Sequence, residues 1–346
     1  MTTFIQLHLL TAYAPSNLNR DDSGRPKTAF MGGVERLRVS SQSLKRAWRV
    51  SDTFQEAMSE CIGTRTRLLG EKYVFEPMTA AGIDEKNAQA SAEAIADVFG
   101  KTRKDKPRQI EQVVHVSPHE IALIEELVAT LINEKRAPKE EELKLLRKEQ
   151  SSVDMALFGR MLASTPEFNV EAACQVSHAL GVSAVTVEDD FFTAVDDLNT
   201  KDSDTGSAHM GEQGFASGLF YTYICISRDL LVKNLGGDEA LAKRAIAALT
   251  ETALTVSPTG KQNSFASRAY ASYALAEIDN KQPRSLAAAF FQPVRDGDQL
   301  KAAIASLKQQ RDNFNRVYGG SDGKQCELDV TAGEGSLQAL LAFVSQ

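Results

Sequence analysis

Between Phe4 and Tyr13, Ile5, Leu7 and Leu9 alternate with Gln6 and His8, the period-two pattern of a strand with one buried face. A polar loop follows from Ala14 to Gly33, holding Pro15, Asn17, Asn19, Asp22 and three glycines. Arg36-Leu37-Arg38-Val39 reads as a short strand with its arginines on one side. Ser40 and Ser41 then offer an N-cap for a helix reaching roughly Phe54. From Lys72 to about Ala163 the period becomes helical, with amphipathic stretches over Asp84 to Phe99, His119 to Ile132 and Lys139 to Met161. Ala172 to Leu180 fits strand or helix, whereas Gly218 to Ser227 alternates as a strand. Asp238 to Leu254 is an alanine-rich helix with Leu241, Ala245, Ala248 and Leu249 on one face, and Tyr270 to Ile278 is a further strand. A helix over Gln299 to Val317, a strand over Cys326 to Val330 and an apolar tail, Leu337 to Val344, complete the pattern. The order strand, helix, strand, strand, helix, strand predicts an α+β fold of the ferredoxin-like (RRM-like) kind, with the long helical stretch inserted between strands.

Within the first of these helices, Ser41 to Val50, a spacing of 100° per residue separates two chemistries. Gln42, Lys45, Arg46 and Arg49 share one arc, and Leu44, Ala47 and Trp48 share the opposite one. No acid stands between Ser40 and Ser51, although helix starts normally collect Asp and Glu. Free N–H groups, serine hydroxyls and three cations, with Arg36 and Arg38 beside them, would make a phosphate site; a solvated basic face is the plainer alternative.

Composition sharpens that contrast. The net charge of −7 argues against a polyanionic partner, yet residues 1–50 hold eight basic and three acidic side chains, a local +5 that leaves −12 for the remainder. With 42% hydrophobic and 25% charged residues the chain can bury a substantial core. No apolar run is long enough to cross a bilayer and the start lacks the pattern of a signal peptide, so a cytoplasmic protein with no membrane partner is expected. Cys61, Cys174, Cys225 and Cys326 stand far apart without a CxxC pair, and His119-Glu120 opens an HExxH motif that Leu123 breaks. No metal site and no cofactor are expected.

Phe191 to Val195 and Phe215 to Phe220 look like two hairpin arms, joined by a polar stretch, Asp196 to Gly214, too long for a tight turn. Phe192 and Met210 are apolar where solvent is expected; core packing is the alternative to binding. Asp21 and Asp22, beside Arg20, are either turn formers or metal-binding carboxylates of an RNA-cleaving site. Phosphate-loop, nucleophile-elbow and dinucleotide fingerprints are absent from the sequence.

Taken together, Leu18-Asn19-Arg20-Asp21-Asp22, Arg38-Val39-Ser40-Ser41-Gln42-Ser43-Leu44-Lys45-Arg46, Gly159-Arg160-Met161, Phe192-Thr193-Ala194-Val195-Asp196-Asp197-Leu198 and Gly206-Ser207-Ala208-His209 resemble the CasC family, in order across nearly the whole chain. That family supplies the backbone subunit of the type I-E CRISPR Cascade complex. The resemblance implies a hand: a ferredoxin-like palm over 1–60 and 165–346, helical fingers over 61–164, and a β-hairpin thumb near 190–217. It implies a noncatalytic protein that oligomerises along CRISPR guide RNA (crRNA) and presents it for pairing with target DNA in antiviral defence. Arg20, Lys27, Ser40, Gln42, Lys45, Arg46 and Arg49 would hold the guide backbone, while Phe192, Thr193 and Met210 of the thumb would fill the gap left by a displaced base. Implied partners are about six copies of the chain, a guide-end nuclease, a capping subunit, a small subunit and a large subunit. The enzyme alternative, an RNA-guided metal-dependent ribonuclease, would use Asp21 or Asp22. Two features stand apart from the family pattern: a longer thumb tip at Asn199 to Thr205, and a basic cluster, Lys101, Arg103, Lys104, Lys106 and Arg108, comparable to finger residues that meet target DNA.

Overall fold

A computed structural model describes residues 2–148, 152–194, 209–295, 297–319 and 323–346 of the chain. Strands β1 (Phe4–Ser16), β2 (Thr28–Met31) and β3 (Val34–Val39) lead into helices α1 (Ser41–Arg49) and α2 (Asp52–Met58). Then come β4 (Thr64–Thr66), α3 (Glu76–Ala80), α4 (Glu85–Phe99), β5 (Val114–Val116), α5 (Pro118–Glu134) and α6 (Val153–Phe158). The chain continues through β6 (Cys174–Val176), β7 (Ala179–Gly181), β8 (Glu188–Ala194), β9 (His209–Ser227), α7 (Arg228–Asn234) and α8 (Glu239–Thr255). It ends with α9 (Gln262–Phe265), β10 (Ala271–Asp279), α10 (Gln299–Tyr318), β11 (Lys324–Asp329) and α11 (Leu337–Val344).

These elements form two compact units: Met1–Thr53, Val176–Cys225 and Leu249–Gln346 in one, Phe54–Gln175 and Ile226–Ala248 in the other. The expected division at 60/61 and 164/165 therefore falls elsewhere. Residues 226–248 group with the helical unit because Asn234 of α7 donates to the carbonyls of Ala156 and Glu171 at 3.1 and 2.8 Å.

The first unit is built on a sheet in the order β11-β10-β1-β9-β7-β3-β2, with β8 paired to β9. Strand β10 lies antiparallel to β1 and to β11, and β7 antiparallel to β3 and to β9. Leu10, Leu219, Tyr221, Tyr273 and Leu275 pack with Ala303, Ile304 and Leu307 of α10 into one apolar cluster.

Strand β1 departs from its alternating pattern, since every residue from Ile5 to Thr11 is buried. The polar positions are tolerated because each is satisfied. Gln6 Oε1 accepts from the Tyr223 hydroxyl at 2.7 Å and from the Arg284 amide at 2.8 Å. His8 Nε2 donates to Glu277 Oε2 at 3.1 Å while its Nδ1 accepts from the Tyr221 hydroxyl at 2.9 Å, and Arg284 grips both Glu277 oxygens at 3.0 and 3.1 Å. Burial pushes the His8 imidazolium below its ordinary pKa, and the bond to Glu277 offsets this only in part. Burial also opposes the Glu277 carboxylate, but hydrogen bonds from His8 and Arg284 outweigh it and hold the group at about 2.

Both shifts act in the same direction. The unfolded chain protonates a histidine near pH 6.5 and a glutamate near pH 4.5, whereas the fold resists both protons. The stability contributed by Glu277, about 3 kcal/mol by linkage, is present above pH 4.5 and lost as the pH falls toward 2. Urea midpoints measured from pH 8 downward are expected to decline from about pH 6.5. His8→Asn should flatten the upper part of that decline, and midpoints flat to pH 4 would exclude the network as its cause.

In the second unit Ala88, Ala92, Ile95 and Phe99 of α4 pack with Ile124, Leu127, Val128 and Leu131 of α5. Asp84 caps α4 by accepting from the Asn87 amide at 3.0 Å. Ser117 and Glu120 form a capping box on α5, so the glutamate of the broken HExxH pattern is buried as a structural group. The third expected helix, Lys139 to Met161, is not continuous: a short 3₁₀ turn, Glu140–Leu143, precedes α6. The chain leaves helical geometry where Leu145 and Leu146 enter the core and the Arg147 amide donates to Glu120 Oε1 at 3.0 Å. Among the described residues no helix is long and apolar enough to cross a membrane.

Candidate nucleic-acid interface

Helix α1 starts where its sequence requires, at Ser41, because Ser40 has extended dihedrals and its Oγ accepts from the Ser43 amide at 3.3 Å. It ends at Arg49 instead of running on to Phe54; the Ser51 hydroxyl donates to the Trp48 carbonyl at 2.8 Å. Leu44, Ala47 and Trp48 are buried, Gln42 and Arg46 are exposed, and Lys45 and Arg49 are half-buried. The two arcs of the helix thus face different environments, and the first turn carries no acid.

The loop before β2 is stitched onto this helix. Asn19 Oδ1 accepts from the Ser40 amide at 2.9 Å, the Asn19 carbonyl accepts from the Lys27 amide at 2.8 Å, and the Lys27 carbonyl accepts from the Arg38 amide at 2.8 Å. Arg20 is exposed on this loop and Lys27 half-buried. Asp21 is committed to the turn itself: its Oδ1 accepts from the Ser23 hydroxyl at 2.8 Å and from the amides of Ser23 and Arg25 at 2.9 and 3.0 Å. The Ser23 hydroxyl leads in holding that carboxyl below its ordinary pKa. Asp22 is exposed.

Two parts of the sequence reading change here. Arg36 does not belong to the basic surface. It is fully buried, with Nη1 donating to the Gly181 carbonyl at 3.0 Å and Nη2 to the Phe290 carbonyl at 3.1 Å. Nor are the helix-start amides free. Ser43 donates to Ser40 Oγ, Leu44 to the Ser40 carbonyl, and Ser41 to His178 Nδ1 at 3.2 Å, which among the described residues leaves the Gln42 amide open. Sequence reasoning passed over His178, an exposed residue between β6 and β7 whose Nδ1 also meets Arg38 Nη1 at 3.3 Å. Nothing local marks it, because both partners lie more than a hundred residues earlier.

The hairpin of β8 and β9 runs antiparallel from Glu188↔Phe215 to Ala194↔His209. Its base is tied to the Arg20 loop by Arg25 Nη1 and Asp189 Oδ1 at 2.6 Å, and by Asn17 Nδ2, which donates to the carbonyls of Gly24 and Gly214 at 2.9 and 2.8 Å. The tip, including Val195 to Ala208 and the Asn199 to Thr205 stretch, lies outside the described residues. Register separates the three thumb residues. Thr193 pairs with Met210 and Phe191 with Glu212, so Phe191, Thr193 and Met210 share one face, whereas Phe192 points to the other, opposite Gly211. The Phe192 ring lies over that glycine so closely that a Cβ there would stand 2.6 Å from the ring. Phe191 and Met210 remain 61% and 63% exposed, against 42% for Phe192.

The basic cluster of the second unit is largely neutralised. Lys101 pairs with Glu111 at 3.0 Å, Arg103 with Asp105 at 2.7 Å and Arg108 with Glu71 at 3.1 Å.

Known proteins similar to the chain share its whole length. The profile of a family described as "CT1975-like protein" matches residues 5–340. A chain of a solved "CRISPR RNA-guided surveillance complex, pre-nicking" is 29% identical with a TM-score of 0.84, covering 99% of this chain and 100% of that one. A chain of another "CRISPR RNA-guided surveillance complex" is 28% identical with a TM-score of 0.63, over 99% of this chain and 98% of that one. No curated protein sequence matches.

Proposed function

This chain belongs to the CT1975-like protein family, and from that premise we propose that it is a noncatalytic, crRNA-binding backbone subunit of a type I-E Cascade complex. The observation that carries the reading is helix α1, whose apolar arc is buried while Gln42, Lys45, Arg46 and Arg49 form a polar arc with no acid in its first turn. Full-length similarity to chains of RNA-guided surveillance complexes supports guide RNA as the polyanion such a surface would meet. The strand order β10-β1-β9-β7 supports a ferredoxin-like palm, since it is the 4-1-3-2 order of that fold counted along β1, β7, β9 and β10. The second unit supplies the fingers and the β8–β9 hairpin the thumb.

In this reading Arg20, Lys27, Gln42, Lys45, Arg46 and Arg49 hold phosphates of the guide, and Ser40 contributes by fixing the start of α1. Backbone contacts position the guide without reading it, so sequence is selected by pairing between guide and target DNA. The hairpin reaches the guide held by the next copy and displaces one base; unstacking costs a few kcal/mol, which apolar contact offsets. Phe191 and Met210 supply that apolar contact from the face they share with Thr193, with Phe192 on the opposite face of the hairpin. Repetition of this contact gives an array of about six copies along one RNA, closed by the nuclease, capping, small and large subunits, in the cytoplasm.

The test is purification of the assembly followed by sequencing of its RNA and incubation with complementary RNA and Mg²⁺. Short repeat-derived transcripts and an uncut target are expected. Absence of such transcripts overturns guide binding, and cleavage that Asp22→Ala abolishes overturns the noncatalytic assignment in favour of a metal-dependent ribonuclease.

A further inference from the structure

We propose that Arg38 and His178 together bind one further phosphate of the guide backbone, a contact that rests on the guide-binding reading of α1 and extends it to a residue from a different part of the chain. The geometry begins with Nδ1 of His178. It faces the Ser41 amide at 3.2 Å and Arg38 Nη1 at 3.3 Å. Amide and guanidinium nitrogens can only donate, so Nδ1 is the bare ring nitrogen and the ring proton sits on Nε2. Arg38 is held at a second point, where Nε donates to the Thr28 carbonyl at 3.3 Å. Two donors are left without a partner among the described residues, Nη2 of Arg38 and Nε2–H of His178, fixed relative to each other by the contact they share.

The charge around this pair asks for an anion. Partial burial, and after it the charges of Arg38, Lys27 and Lys45, all cationic, push the imidazole below its ordinary pKa. Glu35, the one acid of β3, is turned to the Thr28 hydroxyl at 2.6 Å. Arg38 and the amino end of α1 thus touch an exposed histidine that also feels the charges of Lys27 and Lys45. A phosphodiester supplies the missing charge and two acceptor oxygens, one for each open donor.

Anisotropy titrations of the purified chain against a fluorescent single-stranded oligouridylate, over a range of salt, test this alongside thermal melts. Wild type must bind with affinity falling as salt rises; if it does not, the guide-binding reading fails, and this contact with it. If wild type binds, the His178 variants decide. Asparagine can keep the acceptor of Nδ1 but cannot reach the place of Nε2, so His178→Asn should melt like wild type, bind about tenfold more weakly and keep the salt slope. His178→Gln, whose amide nitrogen reaches that place, should recover part of the loss. Arg38→Gln should weaken binding and make the slope of log K against log[salt] shallower by about 0.7. Wild-type binding by His178→Asn, or a loss no greater than its loss of melting temperature, makes His178 a structural residue and overturns the proposal.

Discussion

Arg160→Ala is expected to destabilise the helical unit by about 3–5 kcal/mol, the largest stability effect of any single side chain considered for this protein. Both members of the Arg160–Glu120 pair are at most 1% exposed as side chains. Arg160 Nη1 donates to both Glu120 oxygens at 2.9 and 2.8 Å, and Nη2 to the carbonyls of Arg147 and Phe168, each at 3.1 Å. Glu120 in turn accepts from the amides of Ser117 and Arg147, each at 3.0 Å. Deleting the guanidinium leaves a carboxylate buried without its counter-charge and strips two carbonyls of their donor. Pairing has already compensated the desolvation of both ions, so losing one partner costs more than the pair gained by forming. Glu120→Leu together with Arg160→Met should therefore recover part of the loss. Urea unfolding followed by hydrogen exchange of the α5 amides gives the measurement. A loss under about 1 kcal/mol would be that of a solvent-exposed ion pair and would remove Arg160 from the core.

That pair also places the arginine of one motif of the family resemblance in the core of the helical unit. Gly159 ends α6 with φ +82°, a conformation favourable to glycine, and an added Cβ would lie 3.0 Å from the Val170 carbonyl. Arg160 then turns inward and Met161 is 82% exposed. Helix α1 was legible because both of its arcs are set by neighbours within ten residues. Strand β1 was half legible: its apolar face is local, but the partners that bury Gln6 and His8 stand more than two hundred residues away on β9 and β10. Arg36 and Arg38 have the same type and alternate positions on one strand, yet one reaches main-chain carbonyls inside the unit and the other meets an exposed histidine. Only the loops that return near β3 separate them. The hairpin register was illegible for a related reason, since two adjacent phenylalanines exchange roles if pairing slips by one residue.

Reversing charge at both Lys45 and Arg46 should produce the largest loss of RNA binding. Roughly six phosphate contacts per subunit predict a wild-type slope near −4 in log K against log[salt], about −0.7 for each contact on a single strand. Lys45→Glu with Arg46→Glu removes two of them and places two anions beside the remaining phosphates. The slope should become shallower by about 1.4, and affinity at low salt should fall by on the order of a hundredfold or more. The fold should barely register the change. Arg46 is exposed and Lys45 half-buried, both lie on the arc opposite Leu44, Ala47 and Trp48, and the lost attraction at the basic end of α1 is worth about 0.3–1 kcal/mol. The test is specific because reversing two exposed lysines that are not part of α1, Lys86→Glu with Lys104→Glu in the second unit, alters net charge by the same amount. If general electrostatics governed binding, the two double variants would lose affinity alike. If α1 grips the guide directly, the second keeps most of its affinity and the full slope, and equal losses would refute a localised cradle.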